Sequence, residues 1–164
     1  MTLDLFAARG TIIDGAVSGP LAEAVRGRLS YARYALYDRG SYDHAEPHEP
    51  ELIAAVTALA AEVLGRALVF ASARAIRLLP GDYVLSRHDH AETGVELMVD
   101  LSAAIVAGAE VDYRRNGSAF FRMPSRPGAM SIVERGPGVT CSHGYVSKRV
   151  PAEVVRLAVL LHDP

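Results

Sequence analysis

The spacing of hydrophobic positions changes near residue 67. Before it, apolar residues recur every three or four positions; after it they come in short β-branched or aromatic runs. PELIAAVTALAAEVLGRA sets Leu52, Val56, Leu59 and Val63 on one face and ends at Gly65, predicting an amphipathic helix with a glycine terminator. SGPLAEAVRGRLSYARYAL predicts a second helix, with Ser18 as its cap, Pro20 near the first turn, and Leu21, Val25 and Leu29 at four-residue spacing. Residues 3–16 alternate weakly, as one or two short strands around Gly10 and Gly15 would. YDRGSYDHAEPHEPE reads as a charged loop, because Gly40, Pro47 and Pro50 break any period.

Eight runs follow: ALVFASARAIRLL, DYVLSRHDH, GVELMVDLSA, AEVDYRR, SAFFRMP, AMSIVER, GVTCSHGYV and EVVRLAVLLHD. Turn signals separate them, and Asn116-Gly117 is the clearest hairpin turn. Strands at roughly ten-residue spacing predict a sandwich or jelly roll. Two helices ahead of them predict a mainly β (α+β) protein with helices packed on a sheet. Neither a repeat nor a linker interrupts the chain, so 1–164 reads as one domain, with helical support in 1–66 and a β core in 67–164. Phe120, Phe121 and Met123 belong to that core.

Composition narrows the partners. Half of the 164 residues are hydrophobic and 22% are charged, enough apolar material for a proper core. The formal net charge is −2 and no Lys/Arg run exceeds two residues, which disfavours a nucleic-acid partner. Cys141 is the one cysteine, so an internal disulfide and a cysteine zinc framework are excluded; it reads as a buried filler. The first residues lack the basic start and long apolar run of a signal peptide, and no window suits a membrane span. The expectation is a cytoplasmic protein without membrane contact and with its oligomeric state unspecified.

The chemistry concentrates in RLLPGDYVLSRHDHAE. On an extended strand His88 and His90 face one way and Asp89 the other. His143 is the other histidine inside the β region apart from His162, and imidazoles converging from separate strands suit Fe(II), Zn, Cu or Ni. His44, His48 and His162 read as surface positions. Tyr31, Tyr34, Tyr37 and Tyr42 either cover substrate or pack a helix onto the sheet. Arg74 and Arg77 read as surface arginines, with an acidic substrate group as the alternative.

In order and approximate spacing, the pieces of residues 67–163 resemble the double-stranded β-helix core of the Fe(II)- and 2-oxoglutarate-dependent dioxygenases. PGDY precedes a first histidine, VELMVDLS matches an apolar strand ending in a Leu-Ser-like pair, and AGAEVDYR matches a glycine hairpin. MPSRPGAMSIVE follows, then the distal histidine, then an arginine among apolar neighbours in VVRLAVLLHD. The resemblance implies a jelly roll on two supporting helices, with His88 and His143 as iron ligands. It makes Arg156 the partner of the distal carboxylate of 2-oxoglutarate, with Arg149 the weaker candidate. A buried carboxylate needs such a permanently charged, bidentate fork. Tyr83 would hydrogen-bond the co-substrate, and O₂ would be the second one.

The departure from the pattern is His90, where the family carries Asp or Glu. Three accounts stay open. His88, His90 and His143 form a three-histidine triad; or a bulge brings Asp89 to the metal; or the domain has lost its metal. The favoured expectation is an Fe(II)-dependent dioxygenase acting on a small-molecule, carrier-bound or peptidyl substrate. The alternatives are a cupin-type three-histidine enzyme independent of 2-oxoglutarate, to which Glu96 would contribute, and a metal-free binding module. Glu92 is a further carboxylate near the site.

Overall fold

The computed structural model describes residues 10–35, 41–86 and 92–164. Ten strands and two helices follow in the order β1 (Gly10–Ile13), α1 (Gly19–Arg28), β2 (Ala32–Ala35), β3 (Ser41–Ala45), α2 (Pro50–Leu64), β4 (Val69–Leu78), β5 (Gly94–Asp100), β6 (Val111–Arg115), β7 (Ser118–Met123), β8 (Met130–Arg135), β9 (Val139–His143) and β10 (Val154–His162). The fold is mainly β, an antiparallel jelly roll on two N-terminal helices, as the sequence predicts.

Both helices begin and end where their residues dictate. The Ser18 side chain accepts the Leu21 N–H at 3.3 Å and caps α1. Gly65 closes α2 in the left-handed conformation at φ 64°, where its N–H meets the Ala61 and Glu62 carbonyls. The buried faces are narrower than the periodicity implies. α1 buries Ala22 and Val25 and leaves Leu21 exposed; α2 buries Leu52, Val56, Ala60 and Leu64 and leaves Val63 exposed. Asn116 and Gly117, at φ 50° and 83°, form the hairpin turn between β6 and β7 that an Asn-Gly pair favours.

Seven strands form the major sheet, ordered β1-β8-β5-β10-β4-β3-β2, and three form the minor sheet, ordered β7-β6-β9. β10 is central, and its side chains alternate between two compartments. Val155, Leu157, Val159 and Leu161 join the helices and the outward residues of β5 in one core. Each such burial contributes about 1.5–3 kcal/mol. Ala158 faces the space between the sheets with Met98, Val111, Tyr113, Val139 and Cys141. This second compartment is the barrel interior, where the polar chemistry collects.

Two readings of the sequence need correction. Residues 29–35 and 41–45 are not a helix end followed by a loop: α1 stops at Arg28, and β2 and β3 pair antiparallel along the edge of the major sheet. Cross-strand charge replaces hydrophobic alternation there. Arg33 stands opposite Asp43, and Asp43 opposite Arg77, with ion-pair distances of 3.1 and 2.6 Å. Tyr31 accordingly packs beneath the Arg77 guanidinium, 4.1 Å from its ring centre, and Tyr34 meets Tyr42 and His44. The second correction concerns DYVLSRHDH, whose described part makes only one bridge, between Val84 and His143. Among the described residues no helix is long and apolar enough to cross a membrane.

Candidate functional site

β9 alternates buried and half-buried positions, so Val139, Cys141 and His143 face the barrel interior together. His143 ends the strand, where its backbone is gripped on both sides. Val111 of β6 stands opposite it, and Val84 exchanges both backbone hydrogen bonds with it, at 3.1 and 2.9 Å. The Pro80-Gly81-Asp82 turn sets up that bridge. The Asp82 carboxylate accepts the Leu79 N–H at 2.9 Å and takes a bidentate Arg33 fork, at 2.6 and 2.5 Å. The Gly81 N–H reaches the Val146 carbonyl at 2.6 Å. His88, Asp89 and His90 follow within six residues of Val84 and lie outside the described residues.

On β10, the inward positions Arg156, Ala158 and Leu160 stand opposite Asp100, Met98 and Glu96 of β5, and opposite Ile76, Arg74 and Ser72 of β4. Arg156 is 1% exposed and His143 3%. An Arg156 Nη1–H donates to His143 Nδ1 at 3.0 Å, and Nη2 donates to the Ala109 carbonyl. A guanidinium only donates, so Nδ1 accepts and the ring's single proton sits on Nε2. Among the described residues His143 Nε2 and Arg156 Nε have no hydrogen-bond partner. No carboxylate there forms an ion pair with Arg156 either. Asp100 is close enough to attract it, but the Asp100 oxygens are taken by the Ser102 and Arg126 N–H groups at 2.9 and 2.8 Å.

Burial, then the positive charges of Arg156 and Arg74, hold the His143 imidazole well below the usual histidine range, so it is neutral. The sign of the linkage follows. Unfolded, the ring takes a proton near pH 6.5; folded, it resists until well below that. Below about pH 6.5 the unfolded chain therefore binds more protons, and stability present above that pH is lost as pH falls, by up to about 1.4 kcal/mol per pH unit. In urea unfolding from about pH 7.5 down to about pH 5, the gap between wild type and His143→Gln is expected to narrow in acid. Parallel pH profiles would contradict a neutral buried His143.

A second buried polar group occupies the other end of the interior, and the sequence reading missed most of it. Glu96 accepts from Arg135 Nη1 at 3.2 Å on one oxygen and from the Tyr113 hydroxyl at 2.7 Å on the other. Arg135 also donates to the Val139 carbonyl at 3.1 Å. Burial and the Glu96 charge raise the Tyr113 hydroxyl well above the usual tyrosine range, so it stays a donor. Glu96 is thus engaged by the protein itself rather than offered to His143 as a cupin-like ligand. The available signal was Arg135 at the end of an apolar strand, the same break in pattern that marks Arg156.

The remaining candidates separate. Arg77 is committed to Asp43, whereas Arg74 occupies an inward register position opposite Ala158. The Tyr83 ring lies 6.3 Å from that of Tyr145. Cys141 is buried on the His143 face; His44, His48 and His162 are exposed, and His162 donates to the Thr93 carbonyl at 3.0 Å. Arg149 is exposed, and its backbone N–H bonds Ser147. Among the described residues no three His, Cys, Asp or Glu side chains cluster as a metal site.

No protein-family model matches the sequence, and no curated protein matches it. Solved structures do match the fold. An oxidoreductase of the 2OG-Fe(II) oxygenase family from Burkholderia pseudomallei superposes with a TM-score of 0.70 at 12% identity, over 98% of this chain and 88% of that one. The viral collagen prolyl hydroxylase vCPH of Paramecium bursaria Chlorella virus-1, in complex with 2OG, gives 0.65 at 13% identity, over 94% and 96%. HygX from Streptomyces hygroscopicus, with nickel and 2-oxoglutarate bound, gives 0.65 at 12% identity, over 94% and 82%. The chain has the double-stranded β-helix fold of the 2-oxoglutarate–Fe(II) oxygenases.

Proposed function

We propose that this protein is a non-haem Fe(II)-dependent, 2-oxoglutarate-dependent dioxygenase acting on a small-molecule, carrier-bound or peptidyl substrate. One observation carries the reading: Arg156 is a buried guanidinium without a carboxylate partner among the described residues, hydrogen-bonded to a buried neutral histidine. An uncompensated buried charge costs several kcal/mol, and an anionic ligand offsets that cost. The fold supports the same reading, since HygX, a neighbour of this architecture, has nickel and 2-oxoglutarate bound.

The residues fit both groups. His143 offers a neutral imidazole whose Nε2 meets no acceptor among the described residues, and His88 with either His90 or Asp89 would complete the ligand set. Bound there, Fe(II) with 2-oxoglutarate and O₂ supplies the oxidising power for attack on an unactivated C–H bond. The protein's own contribution is placement. Arg156 would pair with the distal carboxylate of 2-oxoglutarate, and Tyr83 would add a hydrogen bond to the co-substrate. Ligation through Nε2 requires the imidazole proton on Nδ1, so the Arg156 fork must then turn to another acceptor. A carboxylate is that acceptor, which makes Arg156 serve the histidine or the anion by turns. The apolar compartment around Met98, Val111 and Cys141 keeps water from the buried pair.

Anaerobic Fe(II) titration with and without 2-oxoglutarate, followed by optical absorption, tests this reading. A weak visible charge-transfer band requiring both components, and lost in Arg156→Ala, is the expected result. Tight iron binding without a band would instead favour a three-histidine, cupin-type enzyme. No metal binding would leave a binding module.

A further inference from the structure

The backbone around His143 is held by the segment from Gly81 to Val84. Two pairs of backbone hydrogen bonds join them. Val84 exchanges both of its bonds with His143, while the Gly81 N–H reaches the Val146 carbonyl at 2.6 Å and the Val146 N–H reaches the Asp82 carbonyl at 3.0 Å. The Asp82 side chain ties that segment back to the major sheet, through a partner 49 positions away on the edge strand β2. We propose that Arg33 is a positioning residue for the metal site: by clamping Asp82 it fixes the strand end that carries the His143 imidazole. The inference rests on the dioxygenase reading for the metal, but not for the placement of the ring.

The geometry is that of a brace. Arg33 Nη1 and Nη2 donate to the two Asp82 oxygens at 2.6 and 2.5 Å, and Nη1 donates also to Asp43 Oδ1 at 3.1 Å. Asp43 in turn accepts from Arg77 Nε at 2.8 Å, so the clamp runs from the turn through β2 and β3 to β4. Both carboxylates are almost wholly buried, with 4% of the Asp82 and 6% of the Asp43 side chain exposed, whereas Arg33 is 42% exposed. A surface ion pair is worth little, but a bidentate fork on a buried carboxylate sets direction as well as energy. One Asp82 oxygen also accepts the Leu79 N–H at 2.9 Å, which fixes the turn from within.

Charge gives the clamp its direction. Because Nη1 reaches both carboxylates, an Asp43 oxygen lies within about 6 Å of an Asp82 oxygen. Without the guanidinium these like charges repel in a poorly solvated place. Asp43 is kept on the sheet by Arg77, so the displacement falls on Asp82 and on the Gly81–Val84 segment bonded to His143. The ring has little tolerance for it, since Nδ1 accepts at 3.0 Å from Arg156 Nη1 on a different sheet. A shifted strand end loosens that bond, and with it the single Nε2–H tautomer.

The test compares wild type with Arg33→Met, Asp82→Asn and the double variant, all as full chains. In the metal-free proteins, NMR of the imidazole nitrogens reads the His143 tautomer. Wild type is expected to give one protonated and one unprotonated nitrogen, and each variant to move both signals toward the average of a mixture. Ni(II) titration below the melting temperature of every variant is expected to show about tenfold lower affinity in each single variant, and no further loss in the double. Arg33→Lys, which keeps the charge and loses the fork, is the milder substitution and should shift the same signals in the same direction. Melting temperatures that fall while the His143 signals and the Ni(II) affinities stay as in wild type would make Arg33 a stabilising residue only and overturn the proposal. Additive losses in the double variant would overturn it too. If wild type binds no Ni(II), the dioxygenase reading fails, and the His143 signals alone then decide whether Arg33 positions the ring.

Discussion

If the proposed function holds, 2-oxoglutarate with Ni(II) is expected to raise the melting temperature of the wild-type protein and Arg156→Met to abolish that rise, while leaving the unliganded protein at least as stable as before. The two halves have separate causes. In the wild type, ligand at 100 times its Kd adds about 2.7 kcal/mol of stability, a shift of about 5–10 °C for a domain of this size. Truncating one partner of a buried, hydrogen-bonded charge pair costs about 2–5 kcal/mol of binding, which removes nearly all of that shift. Meanwhile Arg156 has no carboxylate partner among the described residues, so a methionine of similar length relieves a buried charge when no anion is present. Differential scanning fluorimetry reads both halves together. A ligand shift that survives in the variant would remove Arg156 from the co-substrate site, and a large fall in unliganded stability would show its charge to be structurally compensated.

Glu96→Ala is expected to act in the opposite sense, lowering stability by about 3–5 kcal/mol and the melting temperature by about 6–20 °C. The substitution removes the carboxylate 3.2 Å from buried Arg135 and the acceptor of the buried Tyr113 hydroxyl. Glu96→Gln keeps the shape and one acceptor oxygen for Arg135, while its amide N–H can donate to the Tyr113 oxygen, so it should lose less. The double variant Glu96→Ala/Arg135→Met should recover much of the loss, because the isolated charge goes with its partner. If the double variant is no more stable than Glu96→Ala, Glu96 acts through packing and not through the ion pair. This network is structural.

How much of this was legible in the sequence depends on whether the signal was local. Ser18, Gly65 and Asn116-Gly117 each act through their own backbone within a few residues, and each does what the sequence predicts. The arginine that breaks the apolar run of β10 was also readable, because alternation demands that one face of a buried strand explain it. β2 and β3 were not readable. Their pairing is secured by Arg33, Asp43 and Arg77, two of which stand 34 positions apart, and a charged five-residue strand has no periodicity of its own. The same limit hid the Glu96–Arg135 pair, whose members stand 39 positions apart and become partners only when β5 and β8 align. The placement of His143 beside Arg156 needed two strands from different sheets, which the order of motifs implied and the spacing alone did not.

β10 holds the middle of the major sheet, yet every other described element precedes it along the chain. During synthesis, β4 and β5 emerge with no strand between them. At ~5–20 residues per second, the stretch from Asp100 to Val154 takes about 3–10 s to make. Over that interval the inward and outward faces of both strands lack their main partner, and each has an edge open to other nascent chains. Closure of the barrel, burial of the helix-facing core and delivery of Arg156 then occur in one event, when a single nine-residue segment docks. Slow translation of the β10 segment would therefore lengthen the interval in which β4 and β5 are open to aggregation.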